Sequence, residues 1–401
     1  IDVRLVGSEM CIRDSFKYER GLGTFIDNHH VKIQKSNDET KTIYAENIII
    51  ATGSKPRTIP NIDVDEKIIM TSDGVDHMKS FPKSMVIVGA GVIGCEYATI
   101  FSNFGKTKVY LIDRSDRILP FEDTDISDMI SKNLKEKGVT IHNKAQLERL
   151  EVKDGEVEYE LSYKDGKKEI IRVEKALLSV GRKLCIDGLK MENAGVTLSK
   201  RGVHIGDINT QTNIPNIYVV GDASGHISLV NVGELEGRYA VERMFSKKYY
   251  PLNYKNICTI MFLQPEVASV GINEKTCIEE NIPVKVVKLD YSCIARAIAM
   301  RKTEGFFKII VTDDKKMKIL GMRAVGEHAS SAIQGVGLLM KMDRNIHELA
   351  EMVHPHPSII EGIQECVRML LNKSIFKASI FKDKLSCYRR IGEYVEDLQR
   401  L

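Results

Sequence analysis

Short apolar runs alternate with polar, glycine-punctuated segments along most of the chain. Gly21-Leu22-Gly23-Thr24-Phe25 and His30-Val31-Lys32-Ile33 alternate apolar and polar positions, the period of half-buried strands. Ile48-Ile49-Ile50-Ala51 is a continuous apolar run that breaks at Thr52-Gly53-Ser54, as a buried strand entering a tight turn does. A second apolar strand is expected over 85–88, followed at once by Gly89-Ala90-Gly91-Val92-Ile93-Gly94. From 95 to 104 the period becomes helical, with Tyr97, Ile100, Phe101 and Phe104 on one face. A strand at 109–112, a helix at 126–137 and a strand at 139–141 complete a βαβαβ unit, which predicts a parallel, doubly wound sheet. Polar hairpins follow over 151–173, with turns at Lys153-Asp154-Gly155 and Lys164-Asp165-Gly166. A strand ending in Gly181-Arg182 closes the unit. Beyond it, a strand at 217–220 enters Gly221-Asp222, and a helix is expected over 229–244. Residues 253–376 read as α+β, with strands near 267–270 and 306–311 and helices near 329–342 and 358–371. The tail, 377–401, is charged and weakly patterned.

Composition narrows the choice of chemistry. The chain has 401 residues, 43% of them apolar, enough for several cores. It carries 58 Lys and Arg against 55 Asp and Glu, a net charge of +3, so nothing electrostatic argues for a nucleic-acid partner. Its apolar runs are strand-sized, far short of the roughly 18 residues of a membrane span. The eight cysteines lie sixteen or more residues apart, so there is neither a CxxC nor a CxxxxC. Such scattered cysteines read as reduced thiols of a cytoplasmic protein. Residues 1–15 start at Ile1 and resemble translated sequencing adapter, and they are expected to be non-native.

The glycine motif carries the clearest chemistry. Gly89-x-Gly91-x-x-Gly94 follows a strand and opens a helix, the context in which backbone amides approach a pyrophosphate at a helix N-terminus. Asp113 ends the next strand, nineteen residues past Gly94, where a carboxylate accepts bonds from an adenine ribose and repels a 2′-phosphate, favouring NAD. Arg114 beside it could reverse that preference. Near the C-terminus, Ser358-x-x-Glu361 is a capping box for the helix expected there. His354 and His356 precede it, and no third residue completes a metal site with them.

Taken in order, Ile48 to Gly53, Gly89 to Gly94, Gly221-Asp222 and His356-Pro357-Ser358-x-x-Glu361 resemble the pyridine nucleotide–disulfide oxidoreductases, which include dihydrolipoamide dehydrogenase. The resemblance spans residues 16 to about 376 and implies an α/β fold. In it, a Rossmann-like NAD-binding domain (84–183) is inserted within a split FAD-binding domain (16–83 and 184–252), and an α+β dimerisation domain (253–376) precedes the tail. It implies FAD beside Thr52 and Gly53, with Asp222 on the ribityl hydroxyls and the helix starting at Leu229 and Val230 aimed at the flavin pyrimidine. Val92 and Ile93 would face the cofactor rings, and Gly181 and Arg182 would end the NAD domain. Glu96 resembles the acid that bonds the nicotinamide side, with a first-turn carboxylate facing the helix dipole as the rival reading. His356 would exchange a thiol proton while Glu361 orients its ring, serving the other subunit of a homodimer. Capping alone is the rival role for Glu361.

The implied activity is electron transfer between a dithiol, such as dihydrolipoamide or a lipoyl domain, and NAD through FAD. The family's first GxGxxG and its CxxxxC do not occur in this sequence, so an N-terminal truncation and an inactive fragment are expected. Val230-Asn231-Val232-Gly233 and Gly181-Arg182-Lys183-Leu184-Cys185 depart from the dihydrolipoamide dehydrogenase pattern. Cys95-Glu96-Tyr97-Ala98 resembles soluble transhydrogenases, which pass hydride through FAD without a dithiol. A remnant kept only for folding and dimerisation is the third alternative.

Overall fold

The computed structural model describes residues 17–199, 206, 209–246, 250–376 and 381–398, so the segment 1–15 lies outside the described residues. The chain divides into two compact units, Ile1–Arg57 with Gly181–Leu252, and Thr58–Val180 with Asn253–Leu401.

The first unit holds an antiparallel meander of strands Leu22–Phe25, His30–Gln34 and Thr40–Tyr44. Strand Ile48–Ile50 pairs in parallel with Ile217–Val219. Their buried Ile50, Ile217 and Val219 form a core with Phe25, Met191 and Ala223. Ser54–Pro56 pairs with Arg182–Leu184 in antiparallel register. Helix Val230–Phe245 packs its Val232, Tyr239 and Ala240 inward.

The second unit contains the doubly wound sheet. Its five parallel strands run in the order Ile69–Met70, Lys175–Leu178, Ser84–Val88, Lys108–Ile112 and Thr140–His142. Helix Val92–Asn103 is apolar where it meets the sheet, burying Cys95, Ala98 and Phe101. An antiparallel meander follows, Gln146–Lys153, Glu156–Ser162 and Lys168–Val173. Its first turn has Asp154 at φ 54° and Gly155 at φ 81°, the two positive values that a tight hairpin turn needs. A seven-stranded antiparallel sheet forms the C-terminal layer, centred on Ile319–Val325 and Phe306–Thr312.

Two boundaries differ from the sequence reading. The first unit ends at Arg57 rather than at 83, because the two-residue strand Ile69–Met70 pairs with Lys175–Leu178 in the parallel sheet. Gly181 and Arg182 fall in the first unit, held by the pairing of Arg182 with Pro56. The weakly patterned tail also contains two strands, Leu385–Ile391 and Tyr394–Asp397, which extend the C-terminal sheet from its Val284–Asp290 strand. Leu385 and Cys387 point into the core, while Arg389 and Arg390 find acidic partners in Asp313 and Glu274.

A buried ion cluster fixes the parallel sheet's second helix, Thr124–Glu136, to the C-terminal sheet. Lys308 is 2% exposed, and its Nζ lies 3.0 Å from Asp123, 2.9 Å from Asp125 and 3.1 Å from Glu274. Beside it, Arg323 donates to Glu122 at 3.0 Å.

Candidate functional site

The glycine turn of the second unit is built for close backbone approach. Gly89 has φ 102°, and a Cβ there would lie 2.5 Å from the Ser179 carbonyl oxygen. A Cβ on Gly94 would lie 1.8 Å from the Gly89 oxygen, so only glycine lets the helix pass this near the strand end. Ser179 Oγ–H lies within donating distance of the Val88 and Gly89 carbonyls, 2.9 and 2.8 Å away. At Gly91, by contrast, a Cβ would meet nothing within 4 Å. That open space lies at the N-cap of helix Val92–Asn103, where no side chain caps the first amides. It suits an anion such as a pyrophosphate.

Asp113 is fastened to this turn. Its Oδ2 accepts the Ala90 amide at 2.7 Å and its Oδ1 the Ser115 amide at 2.8 Å. Each carboxylate oxygen keeps a second lone pair, so the residue can both set the turn and accept from a ribose. Arg114 is exposed and borders an open groove of about 440 Å³ shared with Lys144 and Lys164. Val92 and Ile93 are half-buried on the first turn of the helix. Glu96 accepts the Phe262 amide at 2.8 Å, which ties this helix to the loop between strands Thr259–Met261 and Val267–Gly271 of the C-terminal sheet. Cys95, next to it, is fully buried, and burial pushes its thiol far up.

In the first unit, Asp222 follows Gly221, which has φ 63°. Asp222 Oδ2 accepts from Ser54 Oγ at 2.5 Å, and Ser54 Oγ accepts from Arg182 Nε at 2.5 Å. Arg182 also donates to the Ser54 carbonyl at 2.8 Å and lies 3.6 Å from Asp222. Thr52, Gly53, Gly181, Arg182 and Asp222 therefore gather at one end of the paired strands Ile48–Ile50 and Ile217–Val219. Asp222 Oδ1 makes no hydrogen bond among the described residues, so this carboxylate fits a hydroxyl-bearing chain such as a ribityl group. Leu229 is the N-cap of helix Val230–Phe245 and makes no side-chain cap, and Val230 is 85% exposed. Sequence reasoning did not single out Ser54. Its one signal was its place directly after Thr52-Gly53.

The C-terminal pair is formed. His356 Nδ1 lies 2.8 Å from Glu361 Oε1, and Glu361 Oε2 accepts the Ser358 amide at 2.8 Å. Glu361 thus contacts both the His356 ring and the Ser358 amide, and that amide precedes the helix Glu361–Leu370. Ser358 does not cap in return, and its Oγ is buried without a hydrogen-bond partner among the described residues. Burial works against the Glu361 charge, but the Ser358 amide and the His356 ring outweigh it and hold the carboxyl below its usual range. An ionised Glu361 accepts only, so the ring's Nδ1 carries the hydrogen, and in the neutral imidazole the lone pair is on Nε2. His356 is 73% exposed, which leaves Nε2 accessible. His354 has its Nδ1 3.3 Å from the Met352 carbonyl. No group of three or more His, Cys, Asp or Glu among the described residues could hold a metal ion.

No helix among the described residues is long and apolar enough to cross a membrane. Residues 9–237 match the family model for pyridine nucleotide-disulphide oxidoreductases, and residues 257–367 match that family's dimerisation domain. A dihydrolipoyl dehydrogenase of Bacillus subtilis is 33% identical over 351 residues, 86% of this chain and 73% of that protein. One of Chlamydia trachomatis is 34% identical over 343 residues, covering 85% and 72%. Among solved structures, LpdA from Mycobacterium tuberculosis superposes with a TM-score of 0.81 at 25% identity, covering 87% of this chain and 76% of that one. The HOCl-induced flavoprotein disulfide reductase RclA from Escherichia coli follows at 0.78 and 27%, covering 87% and 78%. The dihydrolipoyl dehydrogenases among these relatives use FAD and NAD. With both its dinucleotide-binding region and its C-terminal layer matched, the chain belongs to the pyridine nucleotide-disulphide oxidoreductases.

Proposed function

We propose that the protein is a homodimeric, dihydrolipoyl dehydrogenase-like flavoenzyme that moves electrons from a dithiol to NAD. The observation that carries this reading is the His356–Glu361 pair, 2.8 Å apart with the far side of the imidazole exposed. Glu361 holds the Nδ1–H, so Nε2 can take a proton from a thiol and return it, and the carboxylate supports the imidazolium formed meanwhile. A transhydrogenase has no thiol to deprotonate and leaves this pair without a task. FAD, when bound, supplies the two-electron relay between dithiol and nicotinamide. Gly89, Gly91 and Gly94 would hold the NAD pyrophosphate with Asp113 toward the ribose, and Asp222 with Ser54 and Arg182 would hold the flavin side.

The reading needs a redox-active disulfide, and this sequence contains no CxxxxC. A reducing, cytoplasmic setting is supported by seven free cysteines among the described residues. The test is NAD reduction by dihydrolipoamide, using the full-length protein loaded with FAD, in wild type and His356→Gln. The substitution should lower the rate on the order of 10²–10⁴-fold. Equal rates would remove the proton-transfer role. Hydride exchange between nicotinamides at full speed, with no dithiol activity in wild type, would favour the transhydrogenase.

A further inference from the structure

The turn that delivers Asp222 is gripped from behind by a carboxylate that no sequence motif marks. Glu236 lies on helix Val230–Phe245, is 1% exposed, and accepts the Gly221 amide on Oε2 at 2.6 Å. A carboxylate taken so far from water is costly unless strongly bonded, and a charge-assisted bond to an amide is among the stronger hydrogen bonds available. The backbones meet at the same place, since a Cβ on Gly233 would lie 3.1 Å from Gly221 Cα. Within the turn, Ser224 Oγ donates to the Gly221 carbonyl at 2.8 Å, and the Gly225 amide donates to the Asp222 carbonyl at 3.1 Å. The Asp222 side chain is then fixed separately by Ser54 and Arg182.

We propose that Glu236 is a positioning residue for flavin binding, holding the Gly221 amide so that Asp222 presents its uncommitted oxygen to the ribityl chain. The inference rests on the flavoprotein reading above and extends it to a residue that touches no cofactor. Without the acceptor, the Gly221 N–H loses its partner next to a buried cavity, and the turn shifts to find another.

The experiment measures the FAD dissociation constant of full-length apoprotein by flavin fluorescence, with the thermal midpoint of each apoprotein recorded alongside. The variants are Glu236→Ala, Glu236→Gln, Asp222→Asn and the double variant Glu236→Ala with Asp222→Asn. Glu236→Ala should raise the constant on the order of 10-fold. Glu236→Gln keeps an acceptor oxygen and should stay within about 3-fold of wild type. In the Asp222→Asn background the Glu236→Ala effect should shrink below about 3-fold, because both act on one contact. If Glu236→Ala does not fold, Gly233→Ala tests the same point, since its Cβ presses on Gly221 and should weaken FAD in the same Asp222-dependent way. A lowered thermal midpoint with unchanged FAD affinity overturns the proposal, as does an effect that adds in full to Asp222→Asn. Wild type that binds no flavin would instead defeat the flavoprotein reading and this inference with it.

Discussion

Replacing Lys308 with Met tests what holds the parallel sheet and the C-terminal layer in register. The ammonium sits among Asp123, Asp125 and Glu274 at 2.9 to 3.1 Å. At an effective dielectric near 20, each contact is worth about 5 kcal/mol of gross attraction. Most of that offsets the cost of taking the ammonium out of water. Burial by itself lowers the Lys308 pKa, yet Asp125, Asp123 and Glu274 outweigh it and hold the group charged far above neutral pH. Methionine fills the volume and leaves three acids facing two remaining cations, Lys288 on Asp125 at 2.9 Å and Arg390 on Glu274 at 2.6 Å. One negative charge is then uncompensated, and breaking a buried pair in this way costs about 3–5 kcal/mol. Urea unfolding followed by circular dichroism gives the value, since the chain has no Trp to report by fluorescence. The pH dependence follows from the carboxylates. Asp125 is disfavoured by burial but held below its usual range by Lys308 and then Lys288. In wild type its contribution is therefore full above the unfolded carboxylate range and fades as pH falls through the lower folded value. In the variant an unpaired acid protonates more readily, so the gap between the two proteins should narrow from pH 7 to pH 4. Glu274→Gln added to Lys308→Met removes the surplus charge and should recover part of the loss. A destabilisation below about 1 kcal/mol at pH 7, or a gap that widens on acidification, would refute the reasoning.

Two further outcomes are expected. Gly91→Ala adds a methyl to open space at φ −77°, so stability should fall by less than about 1 kcal/mol while NAD affinity drops on the order of 10-fold. Calorimetry and NAD titration on one preparation separate the two effects, and unchanged affinity would mean that no pyrophosphate sits there. Burial raises the thiols of Cys95 and Cys366 far up, that of Cys277 to about 11 and that of Cys387 to about 12. Iodoacetamide at pH 7.5 should leave these four unlabelled in the native protein and modify them in urea, as read by peptide mass spectrometry. Fast native labelling at any of them would contradict their packing.

What the sequence made legible was local. The glycine turn, its helix and the following strand lie within thirty residues, and their spacing states the fold they make. His356 and Glu361 are five residues apart, so the candidate pair was readable as well. The contacts that give the Asp222 carboxylate its direction are not local. Ser54 and Asp222 are 168 residues apart and meet only because strand Ile48–Ile50 pairs with Ile217–Val219, which brings both turns to one sheet end. Glu236 is closer to Gly221 in sequence, but one residue of helix more or less would rotate it by about 100° and aim it elsewhere, and no periodicity encodes a helix's rotation against a turn. The two-residue strand Ile69–Met70 was invisible for a related reason, since its partner lies about a hundred residues on and two residues show no period. The C-terminal strands were hidden because only Leu385 and Cys387 of the first are fully buried, while Tyr388 packs on a separate cluster and Arg389 and Arg390 are held by charge pairs whose partners are distant. Asp113 shows the limit at a residue that was found. It follows strand Lys108–Ile112, where the spacing put it, and its bonds to the Ala90 and Ser115 amides show that it shapes the turn by itself. A substitution there therefore removes a structural bond together with the ribose contact proposed for it, whereas at Gly91, where a Cβ would meet nothing within 4 Å, the proposed cofactor contact can be tested apart from the packing of the turn.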